Sequence, residues 1–125
     1  MTSGPNLAKK DLSHANLAGT DLAGADLHAA RLREATLTET NLEGADLTAA
    51  DLTRANLAGA RLRKATVAHA NLEQADLRDA DLDGANLRGA RLVGAKLGEA
   101  ERAIAELAGA EMEERGAGDG STSVQ

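Results

Sequence analysis

The sequence predicts an all-β solenoid, in which short extended units wind around a narrow apolar axis. Three observations predict it. Leucine recurs at every fifth residue, as in ADLTAADLTRANLAGARL at 45–62. Alanine precedes almost every one of these leucines by two positions, and the residue between the two is Asp or Asn in most units.

The period excludes both simple elements. Five residues advance an α-helix by about 500°, so successive leucines would drift by about 140° instead of forming one apolar stripe. In a flat strand the side chains alternate faces, and an odd period throws successive leucines to opposite sides. Each unit must therefore end in a bend that turns the chain back, so that every leucine meets the same axis.

The frame is long. Positions 7 to 97 provide nineteen such sites, eighteen of them Leu and one Val67. Leu47, Leu52, Leu57, Leu62, Val67 and Leu72 form the expected centre of the core. The small residue two positions earlier is alanine from Ala15 to Ala100, with only Thr20 and Thr40 substituting. Residues two apart in an extended segment share a face, so the alanine and the leucine both point inward. One large and one small side chain per unit fill a narrow core and let the backbone turn close to the axis. The intervening Asx residues, among them Asn16, Asp21, Asp26, Asn41, Asp46, Asp51 and Asn56, bond to the backbone two residues on and support tight turns.

Units such as ANLAG, ADLTA and ANLEQ make residues 6–100 resemble the pentapeptide-repeat proteins, whose signature is alanine, Asp or Asn, leucine and two variable residues. The resemblance implies a right-handed quadrilateral β-helix with four units per coil and the leucine and small residue inside. Nearly five coils at about 4.8 Å spacing would make a rod about 20–25 Å long. The chain departs from many family members in having no Phe at a central position, so the core is expected to be uniformly leucine. The resemblance also implies association through C-terminal ends, and the best-known relatives protect DNA gyrase and topoisomerase IV by resembling duplex DNA.

The 125 residues make one domain, and the absence of any aromatic residue would leave an ordinary globular core short of large side chains. A solenoid needs none, because its stability sums over stacked neighbours. Its ends must be covered, since open coils expose unpaired backbone. Pro5 and Lys10 occupy alanine positions, and residues 1–5 are expected to be a loose N-terminus. Near residue 100 the Asx residues give way to Glu, and Arg102 stands where a leucine should be buried. A helix is expected over 101–115, with Ala100, Ala103, Ile104, Leu107 and Met112 near one face. The competing reading continues the repeat, since AELAG and AEMEE stay in frame. The segment either caps the coil or pairs two subunits as a homodimer, and Ile104, Leu107 and Met112 are the candidate contacts. Residues 116–125 read as a flexible tail.

The net charge of −6 is unevenly placed. Residues 99–125 carry −5 of it, leaving −1 on residues 1–98. No side of a four-sided rod becomes an acidic stripe, whereas a DNA mimic should offer a charge about every 1.7 Å along its axis. The most distinctive surface cluster is Arg61, Arg63 and Lys64 in ARLRKA, echoed by Arg31 and Arg33 in ARLREA. Residues 31–60 and 61–90 agree at nineteen of thirty positions, nine of them outside the Leu/Ala frame, which points to a six-unit duplication. Six units are one and a half coils, so Arg31 and Arg61 should fall on opposite sides. The alternative reading of these residues is a solvated set balancing Glu34, Asp81 and Asp83.

The chemistry-bearing residues do not converge. His14, His28 and His69 fall at outward positions on different units, too dispersed for a metal site. Ser13 and His14 are adjacent in an extended unit and point apart, which a nucleophile and its base cannot do. GAGDGS at 116–121 follows no strand and opens no helix, unlike a phosphate loop. The Asp residues follow turn spacing and share no pocket, and Thr36, Thr38 and Thr40 have no counterparts on successive coils that would make an ice-binding rank. No enzyme activity and no cofactor are expected. Without aromatic residues or a continuous basic track, direct nucleic-acid binding is not expected either. There is no cysteine, no membrane-spanning run and no leader, so the expectation is a cytoplasmic protein. The function expected is a rigid, non-catalytic protein–protein interaction module with an unidentified protein partner, Arg61, Arg63 and Lys64 being its candidate surface. The alternative is binding and protection of DNA gyrase or topoisomerase IV.

Overall fold

The computed structural model describes residues 4–112, which form a four-sided coil closed at one end by a helix. The units pair in parallel with those twenty residues further on, without a break from Asn6 with Asp26 through Asp76 with Lys96, and again at Arg91 with Glu111. Four five-residue units therefore make one turn. The bridging residue is always the one before the inward leucine, so the register follows the sequence frame without a slip.

One unit shows why the chain bends where it does. Leu27 N donates to Asp46 O (2.8 Å) and Ala29 N to Thr48 O (2.8 Å) in the next coil, while Asp26 N donates back to Pro5 O (2.9 Å). The corner is closed by Ala30 N donating to Leu27 O at 3.0 Å. Ala29, the third residue of that turn, has φ 58°, the left-handed value that a type II turn requires. The same position holds Glu34, Arg54, Lys64 and His69, also with positive φ. A non-glycine residue there costs about 1 kcal/mol or more, a strain offset by backbone pairing on both edges of the coil.

The Asx residues act as their spacing predicts. Asn16, Asp46 and Asn56 each accept, through Oδ1, the N–H two residues on, at 3.2, 3.0 and 3.0 Å. Where Arg31, Arg61 or Lys96 takes that place a bridge to an adjacent coil persists, so backbone pairing alone suffices.

The inward residues from Leu22 to Leu92 in the leucine frame are at most 4% exposed, and Leu47, Leu52, Leu57, Leu62, Val67 and Leu72 lie at its centre. Their alanine partners, such as Ala45, Ala60 and Ala70, are equally enclosed. Each buried leucine contributes roughly 1.5–3 kcal/mol before chain entropy is subtracted. Thr40, which replaces an alanine, is fully buried and donates its hydroxyl to Leu17 O at 2.8 Å, so its polar atom is satisfied.

The two ends differ. At the N-terminal end Leu7, Leu12 and Leu17 are only partly buried. Residues 1–5 were expected to be loose; 1–3 lie outside the described residues, but Gly4 and Pro5 are paired to the next coil, Gly4 N donating to Gly24 O at 2.9 Å. A Cβ on Gly4 would come within 2.4 Å of Ala23 O, so only glycine approaches this closely.

At the other end the chain leaves the coil as helix α1, Glu99–Leu107. This differs from the expected 101–115: the helix starts two residues earlier, stops at Leu107, and then gives way to the coil again. Residues 113–115 and the expected tail, 116–125, lie outside the described residues. Glu111 N donates to Ala90 O (2.7 Å) and Leu92 N to Glu111 O (2.7 Å), so at Glu111 the chain resumes the original register. Helix and continued repeat, posed as rivals by the sequence, each hold over part of the segment.

The unit AERAI at 100–104 explains the excursion. It puts Glu101 at the Asx position, Arg102 at the buried position and the β-branched Ile104 where the corner needs a left-handed residue. All three violate the repeat, while EAERAIAEL is built of good helix formers. The Glu101 carboxylate accepts from Gly98 N at 2.7 Å and fixes the first turn.

The buried face of α1 is not the expected one. Ala105 is fully buried, and Ile104, Ala108 and Met112 pack against the core. Ala100 and Ala103 are exposed, and Leu107 is 89% exposed, so Leu107 does not cap the coil. The helix lies with the Ile104, Ala105 and Ala108 side over the last leucines, which rotates Leu107 to the outside.

Candidate partner surface

Arg61, Arg63 and Lys64 lie in one row on the side of the coil that carries Leu42, Leu62 and Leu82. The row before them holds Asn41 and Glu43, and the row after holds Asp81 and Asp83. Arg61 Nη2 lies 3.6 Å from Glu43 Oε1, and Arg63 Nη1 lies 3.5 Å from Asp81 Oδ2 and 3.3 Å from Asp83 Oδ2. Among the described residues Lys64 has no acidic partner in the ion pairs formed. Its stem runs beside Gly84, with Cγ 3.4 Å from where a Cβ would sit.

The opposite side, two units away around the coil, carries the duplicated set. Arg31 pairs with Asp11 at 3.8 Å, Arg33 with Asp51 at 3.3 Å, and Arg91 with Glu73. The pairs repeat with the duplication: Arg33 with Asp51 corresponds to Arg63 with Asp81, and Glu43 with Arg61 to Glu73 with Arg91. Thirty residues are one and a half turns, so the same ion pair appears on both opposite sides. Four of these pairs join residues eighteen apart. Of their acidic partners, Glu43 and Glu73 were not singled out from the sequence and Asp51 only as a turn residue; the i to i+18 spacing is the signal that finds them once a turn is known to hold twenty residues.

The two remaining sides carry shorter-range pairs. His28 Nδ1 lies 3.5 Å from Asp26 Oδ1 within one unit, and Arg78 grips Asp76, with Nη2 to Oδ2 at 2.7 Å. On the side of Arg31 and Arg33, His14 meets Glu34 of the adjacent coil at 3.6 Å. His14, His28 and His69 do not come together, and among the described residues no group of His, Asp and Glu is arranged to hold a metal ion. Nor is any described helix long and apolar enough to cross a membrane.

Several carboxyls are held below the usual range. At Asp76 the Arg78 guanidinium hydrogen bond is the largest cause, and at Asp46 the bond from the Thr48 side chain is. At Asp51 burial pushes upward most strongly, but the Thr53 hydroxyl at 2.6 Å, the Thr53 N–H and Arg33 together outweigh it. Groups with a lowered folded pKa contribute stability above their unfolded pKa and lose it as pH falls through the folded one. Thermal melts followed by circular dichroism should therefore give a midpoint flat from neutral pH to about 4 and falling below it, near the ordinary carboxyl range. A midpoint that rises on acidification would contradict these assignments.

The sequence matches the family model for pentapeptide repeats, in eight copies, over residues 3–33, 30–67 and 60–98. The chain belongs to the pentapeptide repeat family. Its members are right-handed quadrilateral β-helices, and the solved structures agree. The chain is similar to a pentapeptide repeat protein, Rfr23, from the cyanobacterium Cyanothece 51142, at 39% identity and TM-score 0.70 over 82% of this chain. It spans 64% of the length of that protein. A pentapeptide repeat protein of the Arabidopsis thaliana thylakoid lumen is similar at 30% identity and TM-score 0.64, over 92% of this chain and 83% of that one. QnrB1, a plasmid-mediated fluoroquinolone resistance protein, shares the fold at 21% identity and TM-score 0.51, over 70% of this chain and 52% of its own. No curated protein matches the sequence.

Proposed function

We propose that this pentapeptide repeat chain is a rigid, non-catalytic module that binds a protein partner, with Arg61, Arg63 and Lys64 as part of the contact. The observation that supports this is the row itself: three cationic side chains on one short unit, whose backbone is hydrogen-bonded to coils on both sides. Little ordering of the backbone is then lost on binding, which favours a preorganised surface. The test is capture from a lysate by the immobilised protein, compared with an Arg61→Glu/Arg63→Glu/Lys64→Glu variant. A partner retained by the parent and lost by the variant supports the reading; equal recovery by both removes these residues from the contact.

Gyrase or topoisomerase IV binding, which the family resemblance implies, predicts inhibited supercoiling at micromolar protein. Its support here is a shared fold, and the nearly neutral rod carries no acidic ladder.

Leu107 is the second candidate contact. Because it is 89% exposed, Leu107→Asp should leave the unfolding free energy within about 0.5 kcal/mol of the parent, as surface substitutions do. If Leu107 joins two subunits, the same change converts dimer to monomer in sedimentation while the rod stays folded. A large loss of stability would mean that it caps the coil after all.

A further inference from the structure

The side that carries Arg61, Arg63 and Lys64 is self-complementary. One row has three positive side chains and no negative one; the next, paired with it through the Arg61–Asp81 bridge, has Asp81 and Asp83 and no positive one. We propose that two copies of the chain associate through this side, antiparallel, about a two-fold axis that runs along the strands midway between the two rows. The proposal rests on the reading of this row as a contact surface and names the partner as a second copy of the chain.

The geometry points to this arrangement in particular. A two-fold axis between the rows places the row of one copy over the opposite row of the other. Because Arg61 and Asp81 are in register, Arg61 of each copy then faces Asp81 of the other, and Arg63 faces Asp83. Every contact occurs twice, as an isologous interface requires. Turning the axis parallel to the rod would instead set the cationic row against itself, and like charges brought together are strongly disfavoured. Arg61 and Arg63 of one row and Asp81 and Asp83 of the next already sit within 3.3 to 3.6 Å of opposite charges on neighbouring coils, so association extends an existing lattice of ion pairs across the gap.

The duplicated side supplies a contrast. There Glu34 stands where Lys64 does, Thr53 where Asp83 does, and Arg54 where Gly84 does. Its rows at 31–34 and 51–54 are therefore of mixed sign, and the rows at 71–74 and 91–94 carry one charge each, Glu73 and Arg91, so the banding of three cations against two carboxylates has no counterpart there. A single self-complementary side gives a closed pair, whereas two would give an open array. The contact is a small, flat and charged one, so the association should be weak, fast and sensitive to salt.

Charge inversion tests this directly. Sedimentation of the full chain at low salt should show a reversible monomer–dimer equilibrium, weakened about tenfold or more as salt rises from roughly 0.05 to 0.5 M and the screening length shrinks. Two variants, Arg61→Glu/Arg63→Glu/Lys64→Glu and Asp81→Lys/Asp83→Lys, each checked for fold by circular dichroism, should be monomeric alone. Mixed in equal amounts they should form a heterodimer, because both rows of one are then acidic and both rows of the other basic. Failure of the mixture to associate overturns the proposal, as does a dimer that survives both inversions or one that only Leu107→Asp dissolves. The lysate capture described above is scored separately, so a binding module for a different protein remains distinguishable from self-association.

Discussion

Leu57→Ala should lower the unfolding free energy by about 3 kcal/mol or more, whereas Leu12→Ala should cost less than half as much. Leu57 is fully buried in the middle of the coil, and its removal leaves a cavity lined by leucines of the coils before and after it. Those neighbours are fixed by backbone pairing on both sides, Leu57 N to Asp76 O at 2.7 Å and Asn56 N to Ala35 O at 2.9 Å, so they cannot close in on the void. Leu12 lies in the first coil, is only partly buried, and its site can relax toward solvent. Urea titration of both variants at equal slope checks the comparison. Equal costs would mean that the N-terminal end is as well packed as the middle, against the burial pattern.

Restoring the broken unit should convert α1 into coil. Glu101→Asn, Arg102→Leu and Ile104→Gly together turn AERAI into ANLAG, the unit found at 55–59. The following AELAG already has alanine and leucine in frame, with Gly109 at the corner at φ 91°. Glu111 already occupies its paired register with Arg91, so the span to be converted has the length of whole units. In the new coil Leu107 would turn inward from its exposed position, and a buried leucine adds about 1.5–3 kcal/mol. The helical minimum near 222 nm should disappear from the circular dichroism spectrum while the midpoint rises. If the helix persists in the triple variant, its own propensity rather than the frame violations keeps it, and Arg102 is not what ends the coil.

Much of the fold was legible because a repeat states its rule many times. The leucine and alanine positions could be assigned to the interior from their two-residue spacing, and Asn16, Asp46 and Asn56 to turn bonds from side-chain length. Both readings need only contacts within one unit. The terminus was less legible, since it is decided by competition. AERAI breaks the frame, AELAG keeps it, and helix propensity acts over both, so its boundaries depend on how the end of the coil is covered. The exposed face of α1 followed from the same cause. Helical spacing grouped Ala100, Ala103, Ile104 and Leu107 loosely on one side, but burial of Ala105 over the last coil rotated the helix so that Leu107 points away.

The candidate surface divides along the same line. Arg61, Arg63 and Lys64 stood out in the sequence as a local cluster, and the duplication placed their echo at Arg31 and Arg33. Their actual neighbours, Glu43, Asp81 and Asp83, depend on residues about eighteen to twenty positions away.

By itself the sequence determined a coil with leucine inside, its five-residue unit, the turn chemistry of Asp and Asn, and the point near residue 100 where the rule breaks. Only the tertiary structure decided which outward residues meet, that the chain rejoins the coil at Glu111, and which side of the terminal helix is buried. The physical reason is that a five-residue period fixes what each unit buries but not how many units close a turn. That number follows from the corner angle set by the left-handed third residue and from the hydrogen bonds between stacked coils, and every contact across the surface depends on it.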